Sequence, residues 1–199
     1  MKIAHIADIH IRGFQRHDEY RESFEDLYRS MAAERPDIIL LVGDIVHSKT
    51  HNITPELIEI TTWFFKQLAQ IAPVHMVLGN HDGLIHNRDR QDAITPIVDA
   101  INAENIRLWK SSGEIFSSAG EKISIHSFSC FDEEGWSTVV PRSDYTNIAL
   151  FHGSVNRCLS DQNVEMSGVS LSTFDGFDFG IFGDIHKRQS LDSAGRFRY

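Results

Sequence analysis

The chain has 199 residues, 41% of them hydrophobic and 24% charged, enough for a sizeable core in an ordinary globular protein of one domain. Its formal net charge of −9 argues against a broad basic surface that coats a polyanion, yet it allows a compact acidic site, because bound cations reverse the local charge. No apolar run is long enough to span a bilayer, the N-terminus lacks a signal-peptide pattern, and Cys130 and Cys158 form no CxxC pair or disulfide framework, so a soluble intracellular protein is expected rather than a secreted one.

Three strand-like runs open the chain. "KIAHIAD" alternates and stops at Asp8, "DIILLVGD" is continuously apolar up to Asp44, and "VHMVLGN" stops at Asn80. These endpoints fall at equal intervals of 36 residues, about the length of a βαβ unit. The gaps carry helical periodicity. Tyr20, Phe24, Leu27, Tyr28 and Met31 mark one face, closed by Pro36. Thr54 is placed to cap a second helix with Pro55 at its first position, and Leu57, Ile58, Thr61, Phe64, Phe65, Leu68 and Ile71 form its apolar stripe. Ile94, Ile97, Val98 and Ile101 suggest a third, shorter helix.

Beyond it the pattern turns β-rich. "NIRLW", "EIFSS", "KISIHSFS", "NIALFHG" and "FDFGIFGD" read as short strands, with long polar loops at 131–147 and 153–177. An α/β fold follows: two packed mixed sheets flanked by helices, a four-layer αββα sandwich. The closing "GRFRY" resembles a strand just entered, so residues 1–199 are expected to be an N-terminal fragment of a longer chain.

The polar residues at the strand ends carry the chemistry. They are Asp8 and His10 in "ADIH", Asp44 in "GDIVH", Asn80 and His81 in "GNHD", His152 in "FHG", and Asp184 and His186 in "GDIH". Parallel strands would bring these tips to one edge, the usual place for ligands in α/β sheets. Carboxylate, imidazole and amide oxygen together suit Mn, Fe or Zn, and the absence of nearby thiolates disfavours a structural zinc site. Two such ions can clamp a phosphoryl group for in-line displacement. Each residue also has an ordinary reading. Asp8 and Asp44 could cap the following helices, and Asn80 and Asp82 could shape a turn. Gly43, Gly79, Gly153 and Gly183 could be simple turn glycines. Four segments, however, repeat one plan: an apolar run, a glycine, and a ligand-type side chain beside it. Outside that plan, His5, His75 and His126 lie in strand-like runs and read as structural, while His17, His51 and His86 read as surface residues.

Taken in order, "DIH", "GDIVH", "GNHD", "HG" and "GDIH" resemble the calcineurin-like metallophosphoesterases, over nearly the whole chain. His47, three residues after Asp44, and "HKRQ" after the last motif resemble the branch of SbcD-type double-strand-break repair nucleases. The resemblance implies a double β-sandwich with two divalent ions, manganese first among the candidates and Mg, Fe or Zn as others. Asp8, His10 and His186 would hold one ion, Asn80, His152 and residue 184 the other, and Asp44 would bridge them. His81 would assist the leaving oxygen, and His47 would touch the phosphate and orient a DNA end. It further implies DNA as substrate, an SMC-like ATPase as partner, a possible homodimer and no membrane association.

One position departs from the family. Its last motif begins Gly-His, whereas here Gly183 precedes Asp184. A carboxylate can still ligate, in which case it cancels positive charge at the site and favours harder ions; the alternative is that Asp184 only orients another ligand and leaves the second ion loosely held. Two alternatives stay open on the same residues: a phosphatase or small-nucleotide phosphodiesterase, and a metal-poor scaffold that binds a partner.

Overall fold

The computed structural model describes residues 1–47, 53–87 and 89–199; His51, read above as a surface residue, lies outside them. Among the described residues, the strands form one sheet of four and one of five. The first contains β1 (Ile3–Ile6), β2 (Ile38–Val42), β3 (Val74–Val77) and β4 (Ile106–Trp109), in sequence order and all parallel. The second contains β5 (Gly113–Ser118), β6 (Ile123–Phe128), β7 (Thr146–His152), β8 (Phe179–Gly183) and β9 (Phe197–Arg198). Only the β5–β6 hairpin in it is antiparallel.

Strand alternation builds the layers. Ile38, Leu40 and Val42 of β2 meet Ile125, Ile148 and Leu150 of the other sheet in the inter-sheet core. Ile39 and Leu41 face the other way, against α1 (His17–Glu34), α2 (Pro55–Ile71) and α3 (Thr95–Ile101). β7 does the mirror-image job: Ala149 and Phe151 face outward into a second cluster with Phe128, Phe174, Phe177, Phe182 and Phe197. The cover there consists of irregular chain and two short 3-10 helices, Glu133–Thr138 and Leu171–Phe174. The long loops at 131–147 and 153–177 therefore do the work of crossover helices, joining parallel strands.

The helices follow their sequence signals, with one exception. α1 ends with Arg35 in the left-handed conformation just before Pro36. The Thr54 side chain accepts a hydrogen bond from Leu57 N, and Pro55 occupies the first turn. Ile58, expected in the apolar stripe of α2, is 43% exposed, whereas Ile60 is fully buried. Leu57, Ile60, Thr61, Phe64, Phe65 and Leu68 follow the three-and-four spacing of one face, and Ile58 is one residue off it. No helix among the described residues is long and apolar enough to cross a membrane.

Other histidines divide by environment. His75 is buried and accepts a hydrogen bond from Trp109 Nε1 at 3.1 Å; burial lowers its pKa to about 4. His126 is buried beside Ser124 Oγ at 2.8 Å. His5, on edge strand β1, borders a pocket with Ala7, Phe182 and Tyr199 and keeps part of its surface exposed; burial of its imidazole lowers its pKa to about 4. His86 is exposed as expected, but His17 is half-buried against the Arg12 carbonyl.

Candidate metal centre

Past the C-terminal ends of β1 and β2, pairing continues as an irregular ribbon. Asp8 N donates to Gly43 O, His10 N to Asp44 O, Ile11 N to Ile45 O and His47 N to Ile11 O, all within 2.9–3.1 Å. Along it Asp8, His10 and Asp44 take left-handed φ values of 56°, 51° and 52°, and Asp184 has a φ of 91°. Asp tolerates this region better than most residues, yet four such residues at strand tips mark stored backbone strain. Neither Asp8 nor Asp44 caps a helix, since α1 and α2 begin beyond Arg16 and Thr54.

The ribbon turns the side chains inward. His10 Nε2 lies 3.7 Å from Asp44 Oδ2 and 3.2 Å from His186 Nε2. His186 Nε2 is 4.0 Å from Asp8 Oδ1. His152 Nε2 is 3.2 Å from Asp44 Oδ1 and 4.0 Å from Asp184 Oδ1. The Asp184 backbone N–H donates to both carboxylate oxygens of Asp8, at 3.0 and 3.2 Å. Three groups converge tightly enough to hold a cation: Asp8, His10 and His186; His10, Asp44 and His81; and Asp8, Asp44 and His152. Asp8 and Asp44 each appear in two of them. Asn80 sits at the tip of β3 with its amide oxygen buried.

His152 explains the neighbouring glycines. Its Nδ1 donates to Val42 O of the other sheet at 2.7 Å, which fixes that proton and turns Nε2 toward Asp44. A Cβ on Gly43 would lie 2.2 Å from His152 Nδ1, one on Gly79 2.7 Å from Nε2, and one on Gly183 2.7 Å from Nδ1. Three of the glycines read as possible turn residues thus form a sleeve around one imidazole. The fourth, Gly153, has a φ of 157°, and a Cβ there would strike the Phe151 ring.

Asp82 does more than shape the turn after Gly79. It is fully buried, and its carboxylate accepts from Ile45 N, Val46 N and Gly79 N at 2.9, 3.1 and 2.8 Å. It thereby ties the Asn80 loop to the Asp44 loop. Burial pushes its carboxyl up to about 7, against the pull of those donors. A fully buried carboxylate has no sequence signature, and its place at the end of "GNHD" was the sole hint.

The electrostatics suit cations. Burial lowers the His10 pKa to about 4, so its imidazole is neutral and its nitrogens are available for coordination. Burial also raises the Asp8 and Asp184 carboxyls, and the Asp44 charge adds to both. Burial opposes ionisation of Asp44 too, but His152 and the His81 backbone N–H (2.8 Å) outweigh it and hold the carboxyl below its usual range. In the same pair, burial disfavours charge on His152, while Asp44 and the Val42 carbonyl raise its pKa to about 9. His10 Nδ1 is buried without a hydrogen-bond partner among the described residues, and His152 Nε2, equally buried, faces the Asp44 carboxylate at 3.2 Å. His10 Nε2 and His186 Nε2 face each other with a lone pair on at least one side. Carboxylates crowded together, imidazole nitrogens turned toward them and oxygen-plus-nitrogen donors fit divalent ions.

His81 and His47 stand at the rim. The His81 ring is 4.8 Å from that of His10 and 6.2 Å from that of His47, centroid to centroid. Its Nδ1 bonds the His47 carbonyl, and its Nε2 faces Asp44 Oδ2 at 4.0 Å. The imidazole is 41% exposed. All nine residues singled out in the sequence therefore lie at the C-terminal edge of the two sheets. Asp82 is the residue that the strand-tip pattern passed over.

Residues 1–188 match the Calcineurin-like phosphoesterase family. The chain is 34% identical over 210 residues to uncharacterized protein R555 of Acanthamoeba polyphaga mimivirus, covering 99% of this chain and 15% of that one. It is 29% identical over 90 residues to the DNA double-strand break repair protein Mre11 of Archaeoglobus fulgidus, covering 41% and 19%. The chain thus spans less than a fifth of the length of these relatives. The crystal structure of Pseudomonas putida nuclease MPE aligns at a TM-score of 0.43 with 15% identity, over 83% of this chain and 67% of that one. With its strand-tip carboxylates and imidazoles and a family match over almost its entire length, the chain belongs to the calcineurin-like phosphoesterases, hydrolases that use divalent metals.

Proposed function

We propose that the chain is a two-metal phosphodiesterase acting on DNA, the nuclease part of an SbcD-type repair or recombination assembly inside the cell. The observation that carries the reading is that Asp8, His10, Asp44, His81, His152 and His186, from two sheets, converge in three overlapping groups each close enough to hold a cation, with Asp184 Oδ1 4.0 Å from His152 Nε2. The partial similarity to Mre11 and the position of His47 support DNA over other phosphoesters. Manganese is the proposed ion, an SMC-like ATPase the proposed partner, and a homodimer the proposed assembly.

When bound, the ions supply Lewis acidity toward the phosphoryl oxygens and neutralise charge that develops there. Asp8, His10 and His186 would hold one ion, Asn80, His152 and Asp184 the other, and Asp44 would serve both. His152 delivers Nε2 in a fixed tautomer because its Nδ1–H donates to Val42 O. His81 keeps its Nδ1 on the His47 carbonyl. In its cationic form it therefore presents an Nε2–H to the departing oxygen and can release that proton. The ring of His47, beyond it, bears on the phosphate of a DNA end.

The test is hydrolysis of linear DNA and of a generic aryl diester in Mn²⁺. Asp44→Ala is expected to lose both activities by about 10³-fold or more, since one carboxylate serves both ions. His81→Ala should bind Mn²⁺ normally but turn over about 10²–10⁴-fold more slowly. Full activity of His81→Ala overturns its role. The acidic net charge favours a second reading, a phosphatase or small-nucleotide phosphodiesterase. In that case a monoester outcompetes the diester, and His47→Ala affects DNA no more than small substrates.

A further inference from the structure

The segment after β7 folds into a hairpin that returns to the last motif. Leu159 bridges Glu165 in antiparallel sense within it, and Val155 bridges Val169 in parallel sense beside its base. Ser160 N donates to Val164 O and Asn163 N to Ser160 O, both at 2.9 Å, closing the tip. Gln189 grips this hairpin like a strand partner. Its Oε1 accepts from Leu159 N at 2.8 Å, and its Nε2 donates to Leu159 O at 2.8 Å and to Lys187 O at 3.0 Å. Lys187 Nζ donates to Asn163 Oδ1. Between these anchors, Asp161 Oδ2 lies 3.7 Å from His186 Nδ1. The other nitrogen of that imidazole faces His10 and Asp8.

We propose that Asp161 is a positioning residue for His186, mounted on the hairpin that Gln189 and Lys187 dock. The inference rests on His186 being a metal ligand. An imidazole that coordinates through Nε2 must keep its proton on Nδ1. At 3.7 Å the contact is longer than a hydrogen bond, but a small rotation of the exposed Asp161 side chain would bring its carboxylate onto Nδ1–H, where it would favour that tautomer and orient the ring. Asp161 is 64% exposed, and an exposed ion pair with two free partners contributes little, because ordering the side chains offsets the attraction. Here the backbone carrying Asp161 is already ordered by the Gln189 clamp, and coordination orders His186. The pair is therefore pre-arranged on both sides, and its effect appears in metal affinity rather than in folding.

The experiment is calorimetric titration of Mn²⁺ into the full chain, with melting curves of the metal-free protein alongside. Asp161→Ala is expected to weaken one of the two Mn²⁺ equivalents by about tenfold or more, to leave the other unchanged, and to leave metal-free melting unchanged. Asp161→Glu should restore most of the affinity, and Gln189→Ala should weaken the same equivalent. Wild-type affinity in Asp161→Ala overturns the proposal, as does a loss of metal-free stability that accounts for the weaker binding. A wild-type chain that binds no Mn²⁺ overturns the ligand reading itself and this proposal with it.

Discussion

The two sheets solve one problem with different materials. Both place parallel strands so that their C-terminal tips meet. The first covers its outer face with regular amphipathic helices, Phe24, Phe64, Phe65 and Leu68 packing on Ile39, Leu41 and Met76. The second covers its outer face with irregular chain, pinned by Phe128, Phe151, Phe174 and Phe182. Phe174 sits on a 3-10 helix of four residues, yet it is fully buried and its ring lies 4.8 Å from that of Phe182. The lesson is that tip placement comes from strand pairing and from what a cover buries, not from the regularity of the cover.

Breaking that equivalence is the strongest test. Phe174→Ala should destabilise the protein by about 3–5 kcal/mol, as should Phe64→Ala in the helical cover. Urea unfolding of both variants measures it. A loss below about 1 kcal/mol for Phe174→Ala alone would mean that the irregular cover is pliable and the regions are not equivalent.

A smaller effect sharpens how the sheets are joined. Gly43 belongs to the first sheet and His152 to the second, and a Cβ on Gly43 would collide with the imidazole. Gly43 also has a φ of 77°. Gly43→Ala should cost about 1–3 kcal/mol and weaken Mn²⁺ binding by displacing His152. Intact Mn²⁺ affinity in this variant would show that the sleeve is not needed to aim the ring.

The smallest effect is one of pH, at the same junction. Protonated His152 pairs with Asp44 in the metal-free protein, and its pKa is raised to about 9. A raised histidine pKa stabilises the fold fully below the unfolded value near 6.5, and that contribution fades as pH rises toward 9. Metal-free melting temperature should therefore fall across this window, and the fall should flatten in His152→Gln. Apparent Mn²⁺ affinity should rise over the same window, because binding displaces the proton. A flat melting profile in the wild-type protein would remove the His152–Asp44 pairing from the account.

Legibility in the sequence follows the same division. The helices of the first half were readable because burial on one face imposes a three-and-four spacing, as at Leu57, Ile60, Thr61, Phe64, Phe65 and Leu68. Even there Ile58 misled, since an isoleucine next to the stripe looks the same in sequence whether buried or exposed. The strand-tip residues were readable because Asp44, Asn80, His152 and Asp184 each stand beside a glycine at the end of an apolar run, and Asp8, His10 and His186 share the carboxylate-x-imidazole spacing. The cover of the second sheet was not, because Phe128, Phe151, Phe174 and Phe182 are scattered and share no period. Asp82 and Gln189 act through hydrogen bonds to distant backbone, and such partners leave no local mark. The crossover role of 131–147 and 153–177 was hidden for a related reason: long polar loops do not announce that the strands they join are parallel.

The left-handed backbone at Asp8, His10, Asp44 and Asp184 also bears on how the centre can be re-engineered. Asparagine, aspartate and histidine visit that region far more readily than β-branched residues do. Exchanges among the three can retune donor hardness and charge at these tips without disturbing the fold, whereas valine, isoleucine or threonine would distort the loop before any question of chemistry arose. The choice of residues at these tips is thus limited first by torsion and only then by coordination, and Asp184, with its φ of 91°, is one of the residue types that satisfies both.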